Sequence, residues 1–202
     1  MSPFVQRPSM HPVARPASKW RDAPQRYGYI SRTLHWLMAL LMGWQFAGMI
    51  AKVMLGRDSV WTQTLSGAHA HVGLLLLILV FVRGIWALTQ RPKRPEQRDG
   101  LWGVLAWMGH ILLYALMVIV PLLAALRMLG NDRPFLWWGW IPLSDGAGPK
   151  VEWMVAPASV AHGWLGWLLL ALIVGHIGMV LVHHYVWKDG TARRMWGRLP
   201  DA

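Results

Sequence analysis

The sequence predicts an all-α integral membrane protein, a bundle of four transmembrane helices with both termini on the cytoplasmic side. Three observations carry that expectation. The composition is 55% hydrophobic and 14% charged, against roughly 25% charged in a soluble domain. Residues 33–51, 59–82, 101–126 and 153–187 contain no Asp, Glu, Lys or Arg. Each reaches the roughly 20 residues that cross ~30 Å of hydrocarbon as a helix. The Lys and Arg residues, finally, gather in alternate connecting segments.

Residues 1–26 form a Pro- and Arg-rich arm, MSPFVQRPSMHPVARPASKWRDAPQ and the arginine that follows. It has no apolar run of the kind a secretion signal carries, and it is expected to be a mostly disordered cytoplasmic segment. Residues 27–198 form the membrane domain, and 199–202 are a tail. The first charge-free stretch follows the arm. The second, 59–82, ends at Arg83, and RPKRPEQRDG then forms a basic connector in which Pro92 and Pro95 stop one helix before the next. A long loop, NDRPFLWWGWIPLSDGAGPKVEW, separates the third and fourth spans, and its FLWWGW core is expected on the membrane surface. The fourth stretch is long enough to begin with an interfacial approach, the span proper starting near Val160.

Orientation follows from the basic residues. Arg7, Arg15, Lys19, Arg21, Arg26 and Arg32 precede the first span. Arg91, Lys93, Arg94 and Arg98 lie between the second and third, and Lys188, Arg193, Arg194 and Arg198 follow the fourth. The opposite loops hold only Lys52, Arg57, Arg127, Arg133 and Lys150, diluted by Asp58, Asp132, Asp145 and Glu152. Cytoplasmic segments carry the positive excess, so both termini are expected inside. The net charge of +11 is then a topology signal. The partner is the lipid bilayer, and nucleic acid is not expected. The absence of cysteine excludes thiolate-held iron–sulfur clusters, cysteine-attached haem and disulfides.

Six histidines sit inside apolar segments: His35, His69, His71, His110, His162 and His176. A single such residue reads as an interhelical hydrogen bond. Six in four spans mark a function. His35 lies near the cytoplasmic start of the first span, whereas His69 and His71 lie at the outer start of the second. His162 opens the fourth span on the outer side, and His176 follows 14 residues later. That step is a rise of about 21 Å and about 40° short of four full turns, so both rings point to one face. His35 and His176 share the inner half of the membrane; His69 and His162 share the outer half. Two opposed imidazoles at one level of a bundle suit axial ligation of haem iron, and two levels suit two haems.

Alternatives remain on this reading. His71 points roughly 200° away from His69 around the helix, and spacing does not decide which faces the core. Gly73, four residues after His69, favours His69 mildly, because a small residue lets a flat macrocycle approach. His110 competes with His35 and His176 in the inner half. His183 and His184, with Tyr185 and Lys188, lie at the inner interface and are candidates for quinone or proton chemistry as well as for snorkelling. Trp and Tyr elsewhere mostly form an aromatic belt. Arg83 suits a haem propionate or a lipid phosphate.

The stretches RYGYISRTLHWLMALLM, AHAHVGLLLLILVFVRGIWAL, GHILLYALMVIVPLLA and above all HHYVWKDGTARRMW resemble the bacterial cytochrome b561 family, over residues 27–198. The resemblance implies a four-helix protein of the bacterial inner membrane with two b-type haems. Carried over by position, the iron ligands are His35 and His176 for the inner haem, and His69 and His162 for the outer one. His69 matches through its fourteen-residue step to Arg83, and His110 matches a family histidine that is not a ligand. This chain departs from the family in its longer arm, the additional His71 and the Trp-rich outer loop.

The resemblance also implies quinone as a partner and an oxidoreductase activity. In the leading reading, an outer-side donor such as superoxide gives electrons through the haems to ubiquinone. The alternative is a haem-bearing electron-transfer subunit that docks to a partner dehydrogenase or a secreted redox protein. A His-lined metal transporter is disfavoured, since the charged residues usual along such a path are missing from the spans.

Overall fold

The computed structural model describes residues 18–94 and 100–196. Most of the N-terminal arm, residues 95–99 of the connector and everything from 197 on, including the 199–202 tail, lie outside the described residues. Among the described residues, four helical stretches are long and apolar enough to cross a bilayer: Tyr29–Leu55, Val60–Lys93, Gly100–Leu129 and Glu152–Trp187. In chain order the elements are α1 (Tyr29–Leu55), α2 (Val60–Ser66), α3 (His69–Gln90), α4 (Gly100–Leu129), strands β1 (Phe135–Trp137) and β2 (Ile141–Ser144), α5 (Glu152–Leu181), and α6 (Thr191–Trp196). Between α5 and α6 the chain widens into a π-helical segment, Val182–Trp187.

Three boundaries differ from those expected. The second charge-free stretch is broken into α2 and α3. Ser66 Oγ returns a hydrogen bond to the Thr62 carbonyl, and the Gly67 N–H donates to the Gln63 carbonyl at 2.9 Å. Such local bonds compete with helix propagation, and a new helix starts two residues later at His69. The short α2 folds back on α1, where Gly48 permits the approach: a Cβ there would stand 3.1 Å from the Leu65 backbone. Helix α3 runs past Arg83 to Gln90, because the Trp86 indole N–H donates to Ser31 Oγ of α1 at 2.9 Å. Helix α5 begins at Glu152 instead of near Val160. Its opening turn carries an acidic residue, Glu152, where the helix dipole favours negative charge.

The close helix pairs are α4 with α5, α1 with α3, α3 with α4, and α1 with α2. Buried side chains form two small clusters. Met38, Val72, Leu76, Leu77 and Val80 join α1 to α3, and Leu116, Val120 and Leu169 join α4 to α5. Met42 and Met117 pack against both, as the flexible thioether suits. Large apolar side chains such as Leu40, Ile85, Leu88 and Trp164 are mostly exposed. In water, that much exposed apolar surface would drive association; in hydrocarbon it costs nothing, which is why the core can stay small.

One end of the bundle gathers both described ends of the chain. The Tyr27 N–H donates to the Arg194 carbonyl at 3.3 Å, and Arg32 donates to the Trp196 carbonyl at 2.8 Å. From residue 18 the arm is tied down. Ala23 and Arg26 exchange backbone hydrogen bonds, and the fully buried Asp22 carboxylate accepts from the Gly28 N–H at 2.9 Å and from Arg94 Nε at 3.1 Å. We call this the terminal end and the opposite one the loop end.

Candidate functional site

At the loop end, α3 opens with His69 and α5 presents His162. Their rings lie 6.1 Å apart, nearly perpendicular. His162 Nδ1 meets the Val120 carbonyl of α4 at 2.9 Å, whereas His69 Nδ1 is buried without a partner. Gln45 of α1 is also buried. Its amide donates to the His69 carbonyl at 2.9 Å and lies over Gly73, where a Cβ would stand 3.2 Å from Gln45 Nε2. The space beside Gly73, expected to receive a macrocycle, is taken by this amide.

His71 turns the other way. Its ring is stacked between Phe135 and Trp138, with centroids at 5.2 and 5.0 Å. Its Nδ1 accepts from the Trp138 N–H at 3.1 Å, and its carbonyl accepts from the Trp137 indole at 3.0 Å. The Trp-rich loop is thus a short antiparallel hairpin, Trp137 opposite Ile141 and Leu136 opposite Pro142, clasped to the start of α3. Its turn places Trp138 at φ 52° and Gly139 at φ 78°. Glycine adopts that region freely; for Trp138 it costs about 1–3 kcal/mol, which the His71 contacts offset.

At the terminal level, three histidines converge. His35 of α1 has a buried Nδ1 without a partner, and it is in electrostatic reach of His176, His110 and Arg83. The His176 and His110 rings are 5.4 Å apart, and His110 Nδ1 meets the Ala106 carbonyl of its own helix at 2.6 Å. Arg83 reaches over the Tyr114 ring, its guanidinium carbon 5.5 Å from the centroid.

Beyond α5, the π-helical segment forms a small recess lined by His183, His184, Lys188, Gly190, Ala192 and Arg193. His183 Nδ1 lies 2.7 Å from Asp189 Oδ2, and Asp189 Oδ1 caps the start of α6 by accepting from the Thr191 N–H at 3.0 Å. Burial works to raise the Asp189 carboxyl, but the hydrogen bonds from Thr191 and the contact with His183 outweigh it and hold the group below its ordinary range. Lys188 takes a left-handed φ of 52° as the chain leaves the π turn. Tyr185 does not share the recess: it is exposed, with its ring against His184. At the loop end, Lys150 is paired with Glu152 at 2.8 Å.

These residues suit a bis-imidazole-held macrocycle. His35 and His176 belong to α1 and α5, and His69 and His162 to α3 and α5, and neither pair of helices is among those that pack closely. Two of the four rings carry a buried nitrogen without a partner. A third has Nδ1 fixed on a carbonyl, which fixes the tautomer and leaves Nε2 for a metal. Among the described residues no three His, Asp or Glu side chains cluster as a site for a bare ion.

Histidines gathered at two levels of a four-helix membrane bundle suit one class of protein, the multi-pass membrane cytochrome. The family model for prokaryotic cytochrome b561 matches residues 26–198, and the chain belongs to that family. It is similar to cytochrome b561 homolog 2 of Escherichia coli (strain K12), 31% identical over 182 residues, covering 88% of this chain and 94% of that one. It is also similar to cytochrome b561 homolog 1 of the same strain, 26% identical over 170 residues, with 82% and 93% covered. A protein of Yersinia pestis named "Probable superoxide oxidase CybB" is 23% identical over 175 residues, with 85% and 96% covered. Membership implies haem b and transmembrane electron transfer, in a multi-pass protein of the bacterial inner membrane.

Sequence reasoning missed Gln45, Asp22, Tyr114 and Asp189. Gln45 had a signal, an amide inside a charge-free span. Asp22 and Asp189 had a weaker one, each being an acid set among basic residues.

Proposed function

We propose that the chain carries electrons across the membrane through two bis-histidine b haems, from a small outer-side donor to membrane quinone. His35 and His176 would hold the haem at the terminal level, His69 and His162 the one at the loop level. The observation that carries this reading is the His69–His162 pair, rings 6.1 Å apart on helices that do not pack closely, together with the partnerless buried ring nitrogens of His69 and His35. When bound, haem b supplies a reversible one-electron couple, and two histidines per iron leave no open coordination position for substrate.

The chain's own residues then set direction and access. The excess of basic residues at the terminal end supports a cytoplasmic position for it. Arg57, Arg127 and Arg133 at the loop end draw a small anion such as superoxide toward the His69–His162 level. At the terminal end, a quinone that accepts two electrons must also accept two protons. His183, oriented by Asp189, is the candidate donor, and His184 and Lys188 offer hydrogen bonds in the same recess. Tyr185 is the weakest of the four candidates, as it lies outside the recess. Each superoxide leaves as dioxygen after giving one electron, so two are spent for each quinone that leaves as quinol.

Purified protein loaded with haem, fed superoxide and a ubiquinone analogue, is expected to form quinol in that ratio. Absence of quinol with several quinones, while the haem spectra stay intact, would refute the donor–acceptor assignment.

A further inference from the structure

Arg83 lies 14 residues after His69 on α3, the same step that separates His162 from His176 on α5. About 21 Å and nearly four full turns on, it occupies the face of α3 that presents His69, at the level of His35 and His176. Its charge acts on both of those imidazoles. Each of the four long helices therefore contributes to this level: His35 from α1, Arg83 from α3, Tyr114 and His110 from α4, His176 from α5.

A guanidinium within a membrane span is costly unless it is paired, and the two imidazoles near it offer no negative charge to pair with. Tyr114 offers it a π face and a side-chain hydrogen bond, but no formal charge. The carboxylates described at this end are engaged elsewhere, Asp22 with Arg94 and Asp189 with His183. The complement this level calls for is an anion. Arginine's planar fork matches a carboxylate through two parallel hydrogen bonds.

We propose that Arg83, seated on Tyr114, holds a propionate carboxylate of the haem clamped by His35 and His176. The assignment rests on the bis-histidine reading above and makes Arg83 a positioning residue that also sets the potential of one haem. A fixed cation beside the iron favours the reduced, more negative state.

The test is a redox titration of both haems in purified, haem-loaded wild type, Arg83→Gln and Arg83→Lys, repeated in nanodiscs with and without anionic lipid. Arg83→Gln is expected to keep both haems and to lower one midpoint potential, that of the haem missing from His35→Ala. Arg83→Lys keeps the charge but not the fork, and shifts the same haem in the same direction by less. If Arg83→Gln does not accumulate, Arg83→Lys is decisive on the same criterion. Two haems with unchanged potentials, or an equal drop in both, overturn the assignment. So does a wild-type potential that changes with anionic lipid and loses that sensitivity in either variant, since the anion is then a lipid phosphate. Wild type without two haems would refute the bis-histidine reading instead, a separate failure.

Discussion

Asp22 shows what one carboxylate can do at the mouth of a membrane bundle. Its side chain is fully buried and accepts one backbone N–H and one guanidinium N–H, joining the arm, the start of α1 and the connector that follows α3. Asp22→Ala removes the acceptor and leaves both donors facing a dry site. A buried donor stripped of its partner costs about 1–3 kcal/mol, so detergent-solubilised Asp22→Ala is expected to melt at a lower temperature than wild type with its haem content unchanged. Equal melting temperatures would mean that the pair contributes nothing. At this scale the sequence was partly legible. Counting residues along a helix placed the histidines at two depths and two faces. It did not reveal Asp22, whose Arg94 partner lies 72 positions away, nor Gln45, whose role depends on where α3 begins. Spacing left open whether His69 or His71 faces the core; the contacts of His71 with the hairpin, which periodicity gave no reason to expect, favour His69.

Two elements convert local chemistry into shape. The hairpin is held by the His71 ring stack and by hydrogen bonds to that residue's ring and carbonyl. His71→Ala should free the hairpin while sparing both haems, read as faster amide hydrogen exchange over 135–144. Loss of a haem in His71→Ala, with His69→Ala unaffected, would reverse the roles of the two residues. At the other end, Asp189 caps α6 and contacts His183. Its folded pKa lies below the unfolded one, so its contribution is complete above the ordinary carboxylate range, near 3.9. That contribution fades as the pH falls through the lower, folded value. Amides of Thr191–Trp196 should therefore be protected at neutral pH and lose protection in acid beyond the intrinsic change in exchange. Asp189→Asn should flatten that dependence, and an acid response identical in Asp189→Asn would rule out the cap as its source. The break between α2 and α3 was not legible, because a charge-free run does not show where Ser66 and Gly67 interrupt the helix.

For the molecule as a whole, lipid makes the fold easy to read. With no water in the bilayer core, backbone groups must pair within helices, so four uncharged stretches translate into four spans. Side-chain packing decides little, and the two buried clusters are correspondingly small. The few polar groups inside the spans are the ones this environment penalises, which is why the histidines stand out as candidates from their positions along the chain alone. The central claim is that two pairs of histidines, one pair near each membrane face, hold two haems in one chain. A reduced-minus-oxidised spectrum with haem quantification, taken on wild type, His35→Ala and His69→Ala, tests it most directly. Two low-spin b haems per chain are expected in wild type and one in each variant. A colourless or single-haem wild-type protein, or variants that keep both haems, would contradict it.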